Sequence, residues 1–280
     1  MDTFTIGGDL EVHRLGFGAM RITGAGIWGP PDDPEDAKRL LRRVVESGVD
    51  LIDTADSYGP EVSENLIAEA LHPYPDGLVI ATKGGLRRTG PGEWPVDARP
   101  ERLRDCCEAS LRRLKLDRID LYQLHAPDDR VPLEESVGAL KALQDEGKIR
   151  HVGVSNVSVR ELARAREVVE VVTVQNRFNF EERDSEDVLD ACRQANIGFI
   201  PWFPLSRGRV VERAEPLGRI AREHDATPAQ IALAWLLARS PVMLPIPGTS
   251  SIEHFEENLA AADIDLSPEA VAEIGSSRQG

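Results

Sequence analysis

The repeating unit of this chain is clearest at Ile119-Asp120-Leu121-Tyr122-Gln123-Leu124-His125. This short, largely apolar run ends on an ionisable residue and lies between amphipathic stretches at 100–114 and 133–146. An apolar run of this length between helical patterns is typical of a strand covered on both faces of a parallel sheet. The stretch therefore predicts a β–α unit whose strand ends on a histidine.

The same unit recurs along all 280 residues. The strands are predicted at 12–18, 49–53, 78–82, 118–124, 150–154, 171–175, 197–202 and 242–246. The helices are predicted at 35–47, 62–71, 100–114, 133–146, 158–169, 184–195, 215–224, 227–239 and 252–262. Eight such units predict one α/β domain over 1–280, a closed (β/α)₈ TIM barrel. A β-hairpin precedes it, with Thr3–Ile6 and Leu10–Arg14 joined at Gly7-Gly8.

A doubly wound open sheet is the alternative architecture. Such a sheet usually carries Gly-x-Gly-x-x-Gly after its first strand. Here Gly16-Phe17-Gly18-Ala19-Met20 lacks the third glycine, so the barrel is favoured. Asp33 before Pro34 and Thr227 before Pro228 mark helix starts, and Gly48 and Gly147 follow predicted helix ends.

Composition narrows the function classes. The net charge of −15 argues against a broad basic surface for nucleic acid or anionic lipid. No apolar run approaches a membrane span, and the first residues do not resemble a signal peptide, so we expect a cytoplasmic protein. Cys106, Cys107 and Cys192 indicate reduced thiols rather than disulfides, and no ligand spacing predicts a metal site. We expect a monomer or a weak homo-oligomer.

Three predicted strands end on residues that can transfer or hold a proton. Asp53, Lys83 and His125 end the strands near 51, 79 and 119, and Tyr58 follows five residues after Asp53. Parallel strands place their C-terminal ends on one rim, and alternation along each strand turns these three side chains toward the barrel axis. The four side chains are therefore expected to meet at the mouth of the barrel.

A phenol beside an ammonium can protonate a carbonyl oxygen. The ordinary tyrosine pKa of ~10 is too high for efficient acid catalysis near neutrality, and Lys83 is expected to lower it. Asp53 would hold Lys83, and His125 would orient the substrate oxygen. Each residue also has a purely structural reading: Asp53 as a helix cap, Lys83 as a solvated turn lysine, and His125 as a rim histidine.

Four motifs resemble the aldo-keto reductase family, and the resemblance covers nearly the whole chain. They are Asp53-Thr54-Ala55-Asp56-Ser57-Tyr58-Gly59, Ala81-Thr82-Lys83, Asp120-Leu121-Tyr122-Gln123-Leu124-His125, and Gly147-Lys148-Ile149-Arg150-His151-Val152-Gly153-Val154-Ser155-Asn156. The resemblance implies a (β/α)₈ barrel and hydride transfer from a nicotinamide cofactor. It implies Tyr58 as general acid, Lys83 and Asp53 as groups that tune it, and His125 as the orienting group.

The resemblance also implies a cofactor site along the rim. Its residues would be Gly18, Ala19, Met20, Asp53, Ser155, Asn156, Gln175, Trp202, Pro204, Leu205, Ser206, Gly208, Ile246, Gly248, Thr249, Ser250, Ser251, His254, Glu257 and Asn258. Ser155, Asn156 and Gln175 would bind the carboxamide, and Trp202 would stack on the nicotinamide. Gln175 as a strand-end turn residue and Trp202 as rim packing are the plainer readings.

Two departures from the family weaken the expected clamp on a 2′-phosphate. Gly248 stands where many relatives carry lysine, and His254 stands where they carry arginine. NADPH is still favoured, because hydroxyl side chains and a helix N-terminus remain at 249–252, but NADH is possible. The substrate pocket is expected to contain Met20, Trp28, Tyr58, Trp94 and His125, although either loop tryptophan could instead pin its loop to the barrel.

We expect an oxidoreductase that reduces a small-molecule aldehyde or ketone to an alcohol, with NADPH or NADH as hydride donor. One alternative is a nicotinamide-binding regulatory protein of the same fold with little turnover. Another is a barrel aldolase in which Lys83 forms a Schiff base. The carboxylate of Asp53 opposes the second alternative, because it would keep the lysine charged.

Overall fold

A computed structural model describes residues 2–206 and 215–276, and it begins with the predicted hairpin. Strands β1 (Thr3–Ile6) and β2 (Leu10–His13) pair antiparallel. The turn works because Gly7 and Gly8 both have positive φ, at 60° and 80°. Asp9, in this turn, accepts hydrogen bonds from Arg150 at 2.9 Å and lies 2.6 Å from the His151 imidazole. The hairpin is thereby fastened to the start of a barrel strand, at the end opposite the candidate site.

In the described part of the chain, seven parallel strands follow in sequence order. They are β3 (Phe17–Gly18), β4 (Leu51–Asp53), β5 (Val79–Gly84), β6 (Ile119–Leu124), β7 (Ile149–Ser155), β8 (Val171–Arg177) and β9 (Gly198–Trp202). Each pairs with its successor, and all six residues of β5 are buried. The predicted strand at 12–18 is divided, because its first residues belong to the hairpin.

The predicted eighth strand at 242–246 closes the barrel without forming a regular strand. Phe199 N–H donates to Val242 at 2.7 Å, and Gly16 N–H donates to Pro245 at 2.9 Å, so the segment bridges β9 and the start of the barrel. Pro245 and Pro247 have no N–H to donate, which removes ladder bonds. The (β/α)₈ arrangement is therefore confirmed, with one irregular closing segment.

Helices cover the outside of the barrel. They are α1 (Pro34–Glu46), α2 (Val62–Leu71), α3 (Pro100–Leu114), α4 (Leu133–Asp145), α5 (Val159–Arg166), α6 (Glu186–Ala195), α7 (Glu215–Glu223), α8 (Pro228–Arg239), α9 (Ile252–Ala260) and α10 (Pro268–Ser276). Helix α10, whose buried anchor is Ile274, was not predicted from the sequence. No helix within the described ranges is long and apolar enough to cross a membrane.

The predicted helix boundaries have the expected local chemistry. Asp33 accepts from the first two free N–H groups of α1, at 2.8 and 3.2 Å. Thr227 forms a reciprocal capping box with Gln230 at the start of α8. Gly48 and Gly147 have φ of 86° and 75°, the left-handed conformation that ends a helix. The ends of these helices determine where the following strands begin, and therefore which strand residues reach the C-terminal rim of the barrel.

Candidate active site

The four predicted proton-handling residues do meet at the C-terminal rim. Lys83, near the end of β5, donates to the Asp53 carboxylate at 2.6 Å and to the Tyr58 hydroxyl at 3.3 Å. Its third hydrogen bond goes to the Thr54 carbonyl at 2.8 Å. The Lys83 side chain is fully buried, so every N–H of its ammonium is used inside the protein. The structural reading of Lys83 as a solvated turn lysine is therefore wrong.

His125 completes the group from the end of β6. Its ring lies edge-on to the Tyr58 ring, with centroids 5.9 Å apart, and its Nδ1 is 3.4 Å from the Ser57 hydroxyl. Burial, together with the nearby Lys83 ammonium, holds the pKa of His125 well below its usual range. A neutral imidazole has one N–H and one lone pair, so it can orient a carbonyl oxygen without adding a charge.

The net pKa of Tyr58 differs from the sequence expectation. Burial raises the pKa of Tyr58, Lys83 lowers it, Asp53 raises it, and the result lies above the ordinary value of 10.0. The expected net lowering was therefore wrong, because desolvation of the phenolate outweighs the neighbouring ammonium. A raised pKa keeps the proton on Tyr58 at neutral pH, which is the form a proton donor needs.

Lys83 remains a cation despite its burial. Burial alone would lower the pKa of Lys83, but the Asp53 charge and the hydrogen bonds to Asp53 and Tyr58 raise it above its ordinary value. A Schiff-base nucleophile must lose its proton before it attacks. This electrostatic environment opposes the aldolase alternative.

Two glutamines that flank the ion pair organise the Asp53 carboxylate. Gln175 donates to Asp53 Oδ1 at 2.8 Å, and Gln123 donates to the same oxygen at 3.2 Å. Since a carboxylate only accepts, the amide nitrogen of Gln175 faces Asp53 and its oxygen faces away. Gln123 was not among the predicted site residues, although it shares the inward parity of His125 on β6.

Polar groups predicted to bind a carboxamide form a connected set beside His125. Asn156, with φ of 59°, donates to the His125 carbonyl at 2.9 Å and to the Ser155 hydroxyl at 3.0 Å. Its side-chain oxygen accepts from the Trp202 indole at 3.0 Å. Together with the outward-facing oxygen of Gln175, this set offers both donors and acceptors, as recognition of a primary amide requires.

The segment after β9, which is predicted to lie along a pyrophosphate, is partly closed to an anion in this structure. Pro204 is buried and Leu205 is half-buried. Ser206 has φ of 51° and donates to the Glu181 carboxylate at 2.6 Å. Its hydroxyl would have to change partner, and Glu181 would have to turn away, before an anion could bind there. The predicted Gly208 lies outside the described residues.

At the predicted adenosine end, the structure explains Gly248. A Cβ atom on Gly248 would lie 2.6 Å from the Gly18 carbonyl oxygen, and one on Gly18 would lie 2.6 Å from the Ile246 carbonyl. Two backbone segments are in contact here, just before Ala19 and Met20 in the chain. The family lysine therefore cannot replace Gly248 without a backbone shift, whatever its effect on a phosphate.

The start of α9 carries the predicted hydroxyl cluster, but with an acidic neighbour. Ser251 caps α9 by accepting from the His254 N–H at 3.2 Å, and its hydroxyl donates to Glu253 at 2.7 Å. His254 and Ser250 are exposed, and Thr249 accepts from the Ser251 N–H at 3.1 Å. The helix N-terminus favours a phosphate, whereas the Glu253 carboxylate disfavours one.

The predicted adenine contacts lie further along α9. The Glu257 carboxylate accepts from the Thr227 hydroxyl at 2.6 Å, and Asn258 is buried. Both residues follow Gly248 and the N-terminus of α9 in the sequence.

Aromatic side chains surround Tyr58 on its exposed side. The Trp94 ring is perpendicular to the Tyr58 ring, with centroids 6.4 Å apart. Trp28 lies in the loop after β3, and its backbone bridges to Gly59. Both tryptophans are half-buried, and Met20 is half-buried at the start of that loop. Trp94 and His125 thus contact the Tyr58 ring directly, whereas Trp28 is linked to the neighbouring Gly59 through the backbone. The loops after β3 and β5 place the two tryptophans.

A further carboxyl group, from the motif that carries Asp53 and Tyr58, is buried next to the site. Asp56 is 6% exposed, and its Oδ1 has no hydrogen-bond partner among the described residues. Burial raises the pKa of Asp56 to about 7, against a contact with Cys106 that lowers it. Its backbone N–H donates to the Lys83 carbonyl at 3.3 Å, which ties the Tyr58 segment to β5.

Comparison with known proteins gives a consistent set of relatives. The sequence profile of the Aldo/keto reductase family matches residues 14–279. The chain is 41% identical over 286 residues to pyridoxine 4-dehydrogenase of Escherichia coli, covering 99% of each. A thermostable aldo-keto reductase in complex with the inhibitor epalrestat superposes with a TM-score of 0.87 at 34% identity, covering 99% of each chain. An aldo/keto reductase of Klebsiella pneumoniae in complex with NADP and acetate superposes with a TM-score of 0.81 at 30% identity, over 97% of this chain and 93% of that one.

Proposed function

Since this chain belongs to the aldo/keto reductase family, we propose that it reduces an aldehyde or ketone to an alcohol with Tyr58 as the general acid. The observation that carries the proposal is the buried hydrogen-bond chain from Asp53 through Lys83 to Tyr58, with contacts of 2.6 and 3.3 Å. The nicotinamide cofactor, when bound, supplies the hydride that reaches the carbonyl carbon. The residues of this chain position the substrate and move the proton.

Tyr58 donates its hydroxyl proton to the carbonyl oxygen as negative charge develops there. The raised pKa of Tyr58 keeps the donor loaded, and the Lys83 ammonium stabilises the phenolate that remains after transfer. Neutral His125 donates a hydrogen bond to the same oxygen from the ring nitrogen that does not face Ser57. Burial strengthens each of these interactions because water does not screen them.

The cofactor proposed is NADPH, with NADH as a weaker second. The carboxamide set at Ser155, Asn156 and Gln175 does not distinguish the two, because it contacts the nicotinamide end. Discrimination rests on the start of α9, where the helix N-terminus supports a 2′-phosphate while Glu253 opposes it. The Klebsiella pneumoniae structure with NADP supports NADPH by relationship. We therefore propose a modest preference rather than strict specificity.

The substrate proposed is an uncharged carbonyl compound that fits between Tyr58 and the loop tryptophans. Aromatic walls favour a flat ring by stacking and contribute little to an anionic group. Because one relative is named pyridoxine 4-dehydrogenase, the first panel of substrates should include pyridoxal, which carries an aldehyde at that position.

The test follows the loss of nicotinamide absorbance with a panel of aldehydes, for the parent and for Tyr58→Phe. We expect Tyr58→Phe to lower kcat by about 10²–10⁴-fold, as for loss of a general acid, with NADPH affinity unchanged. Tyr74→Phe is the matched control, because Tyr74 donates to the Leu114 carbonyl, outside the proposed site. Equal turnover by Tyr58→Phe and the parent would refute the assigned acid. A parent that binds NADPH but reduces no carbonyl would favour the regulatory alternative.

A further inference from the structure

The loop between β5 and α3 is a small hairpin that projects over the rim. Leu86 pairs with Val96 in an antiparallel bridge, and Arg87 N–H donates to the Pro95 carbonyl at 2.8 Å. Asp97 N–H donates to the Gly85 carbonyl at 2.9 Å, below this bridge. The tip of the loop, residues 88–94, is therefore held out from the barrel on a defined stem, and it carries Trp94.

Among the described residues, all the hydrogen bonds that Arg88 donates, from the base of that tip, go to backbone carbonyls. Its acceptors are Glu93 at 3.1 Å, Ile27 at 2.7 Å, Ser57 at 3.1 Å, Gly26 at 3.2 Å and Gly90 at 3.4 Å. A guanidinium has five N–H groups, so these five carbonyls use its full capacity. The arrangement leaves no donor for a substrate anion, and it joins the loops after β3, β4 and β5.

The same guanidinium lies against both loop tryptophans. Its carbon is 3.6 Å from the centre of the Trp94 ring and 5.4 Å from the centre of the Trp28 ring. Such cation–π stacking fixes the plane of an aromatic ring, especially where part of the contact is dry. A second constraint on Trp94 is its perpendicular contact with the Tyr58 ring at 6.4 Å.

We propose that Arg88 is a positioning residue that determines substrate specificity by holding Trp28 and Trp94 as a fixed aromatic wall beside Tyr58. The inference rests on the proposed function, because the wall acts on whatever carbonyl compound reaches Tyr58. A wall that is already ordered loses little conformational freedom when a flat ring stacks on it. A small aliphatic aldehyde touches little of the wall and depends on Tyr58 and His125 alone. The site therefore selects flat aromatic carbonyl compounds over small aliphatic ones.

Lysine cannot take over this role. An ammonium has three donors at one point, so it cannot span five carbonyls on three loops, and it does not stack as a plane. Arg88→Lys therefore keeps the charge but loses the wall, whereas Arg88→Met keeps only an unbranched stem and loses both. The matched control is Arg87→Met, which removes one positive charge from the neighbouring, exposed position of the same loop.

The experiment measures kcat and KM for naphthaldehyde and for propanal in the parent and the three variants, together with NADPH affinity and acrylamide quenching of tryptophan fluorescence. For Arg88→Met we expect the naphthaldehyde KM to rise about tenfold, equivalent to about 1.4 kcal/mol, with the propanal KM changed less than about twofold. Quenching should increase as Trp28 and Trp94 loosen, while NADPH affinity stays at the parent value. Arg88→Lys should follow Arg88→Met in direction, and Arg87→Met should match the parent.

An equal rise in KM for both aldehydes, or unchanged quenching in both Arg88 variants, would overturn the proposal. So would a loss of NADPH affinity that parallels the loss of turnover, since that pattern indicates general damage to the rim. If Arg88→Met does not fold, Arg88→Lys gives the same comparison. A parent that reduces neither aldehyde would refute the proposed function itself. A parent that reduces both, with variants that show no dependence on aldehyde size, would refute only the role of Arg88.

Discussion

Asp56 makes this protein's stability depend on pH in a direction opposite to that of a paired carboxylate. The side chain is buried beside Cys106, with the Glu64 charge raising its pKa and the Arg102 and Arg113 charges lowering it. Burial dominates and raises the pKa of Asp56 from 3.8 to about 7. The perturbation that isolates this group is Asp56→Asn, which preserves the shape and cannot ionise.

The sign and size follow from the two pKa values. Below about pH 4 the carboxyl is protonated in both the folded and the unfolded chain, so it contributes no pH dependence. Between about pH 4 and pH 7 the unfolded chain releases the proton and the folded protein retains it, so stability falls as pH rises. Above pH 7 both states are ionised and the loss is complete, at about 4 kcal/mol.

The assay is urea unfolding of the parent and Asp56→Asn at a series of pH values from 4 to 8. The difference in unfolding free energy should shift by about 4 kcal/mol in favour of Asp56→Asn between the ends of this range, whatever its value at pH 4. Asp76→Asn, at an exposed position of the loop before β5, is the control and should give no such trend. A difference that is constant with pH, or that moves in favour of the parent as pH rises, would refute the reasoning.

Three further changes test the site. Lys83→Met should lower the free energy of unfolding in urea by about 3 kcal/mol, because it leaves the Asp53 carboxylate buried without its cation. The double variant Lys83→Met/Asp53→Asn should recover most of that loss, and additive losses would contradict the pairing. His254→Arg should tighten NADPH severalfold and leave NADH unchanged in fluorescence titrations, and equal tightening of both would place the phosphate elsewhere. Gly248→Lys should lower the melting temperature and fail to tighten NADPH, since its Cβ meets the Gly18 carbonyl; tighter NADPH binding without loss of stability would show that this backbone contact can relax.

Much of the site follows from strand parity. Asp53, Lys83 and His125 each end an apolar run on its inward-facing positions, and the structure brings them together as that pattern predicts. Nine of the ten described helices follow as well, several of them with capping residues or glycines at their ends, and α10 does not. The eighth strand, predicted at 242–246, is the exception, because Pro245 and Pro247 have no N–H to donate to a full ladder.

Sequence patterns do not show how opposing electrostatic effects balance. The pKa of Tyr58 depends on whether burial outweighs an ammonium 3.3 Å away, and that comparison needs coordinates. Asp56 is another case, because nothing in its neighbours along the chain indicates that it is buried. Arg88 is invisible for a different reason: its contacts reach Ile27 and Ser57, 61 and 31 residues away in the chain.

The central claim is that Tyr58, kept protonated by burial, delivers the proton to the carbonyl oxygen. The pH dependence of kcat/KM for carbonyl reduction, measured for the parent and Tyr58→Phe, tests it most directly. The parent should hold its rate through neutrality and lose it only above about pH 10, the ordinary phenol value, while Tyr58→Phe should be slow and lack that alkaline limb. A parent whose rate falls between pH 6 and 8, or a Tyr58→Phe profile identical to the parent's, would contradict the account.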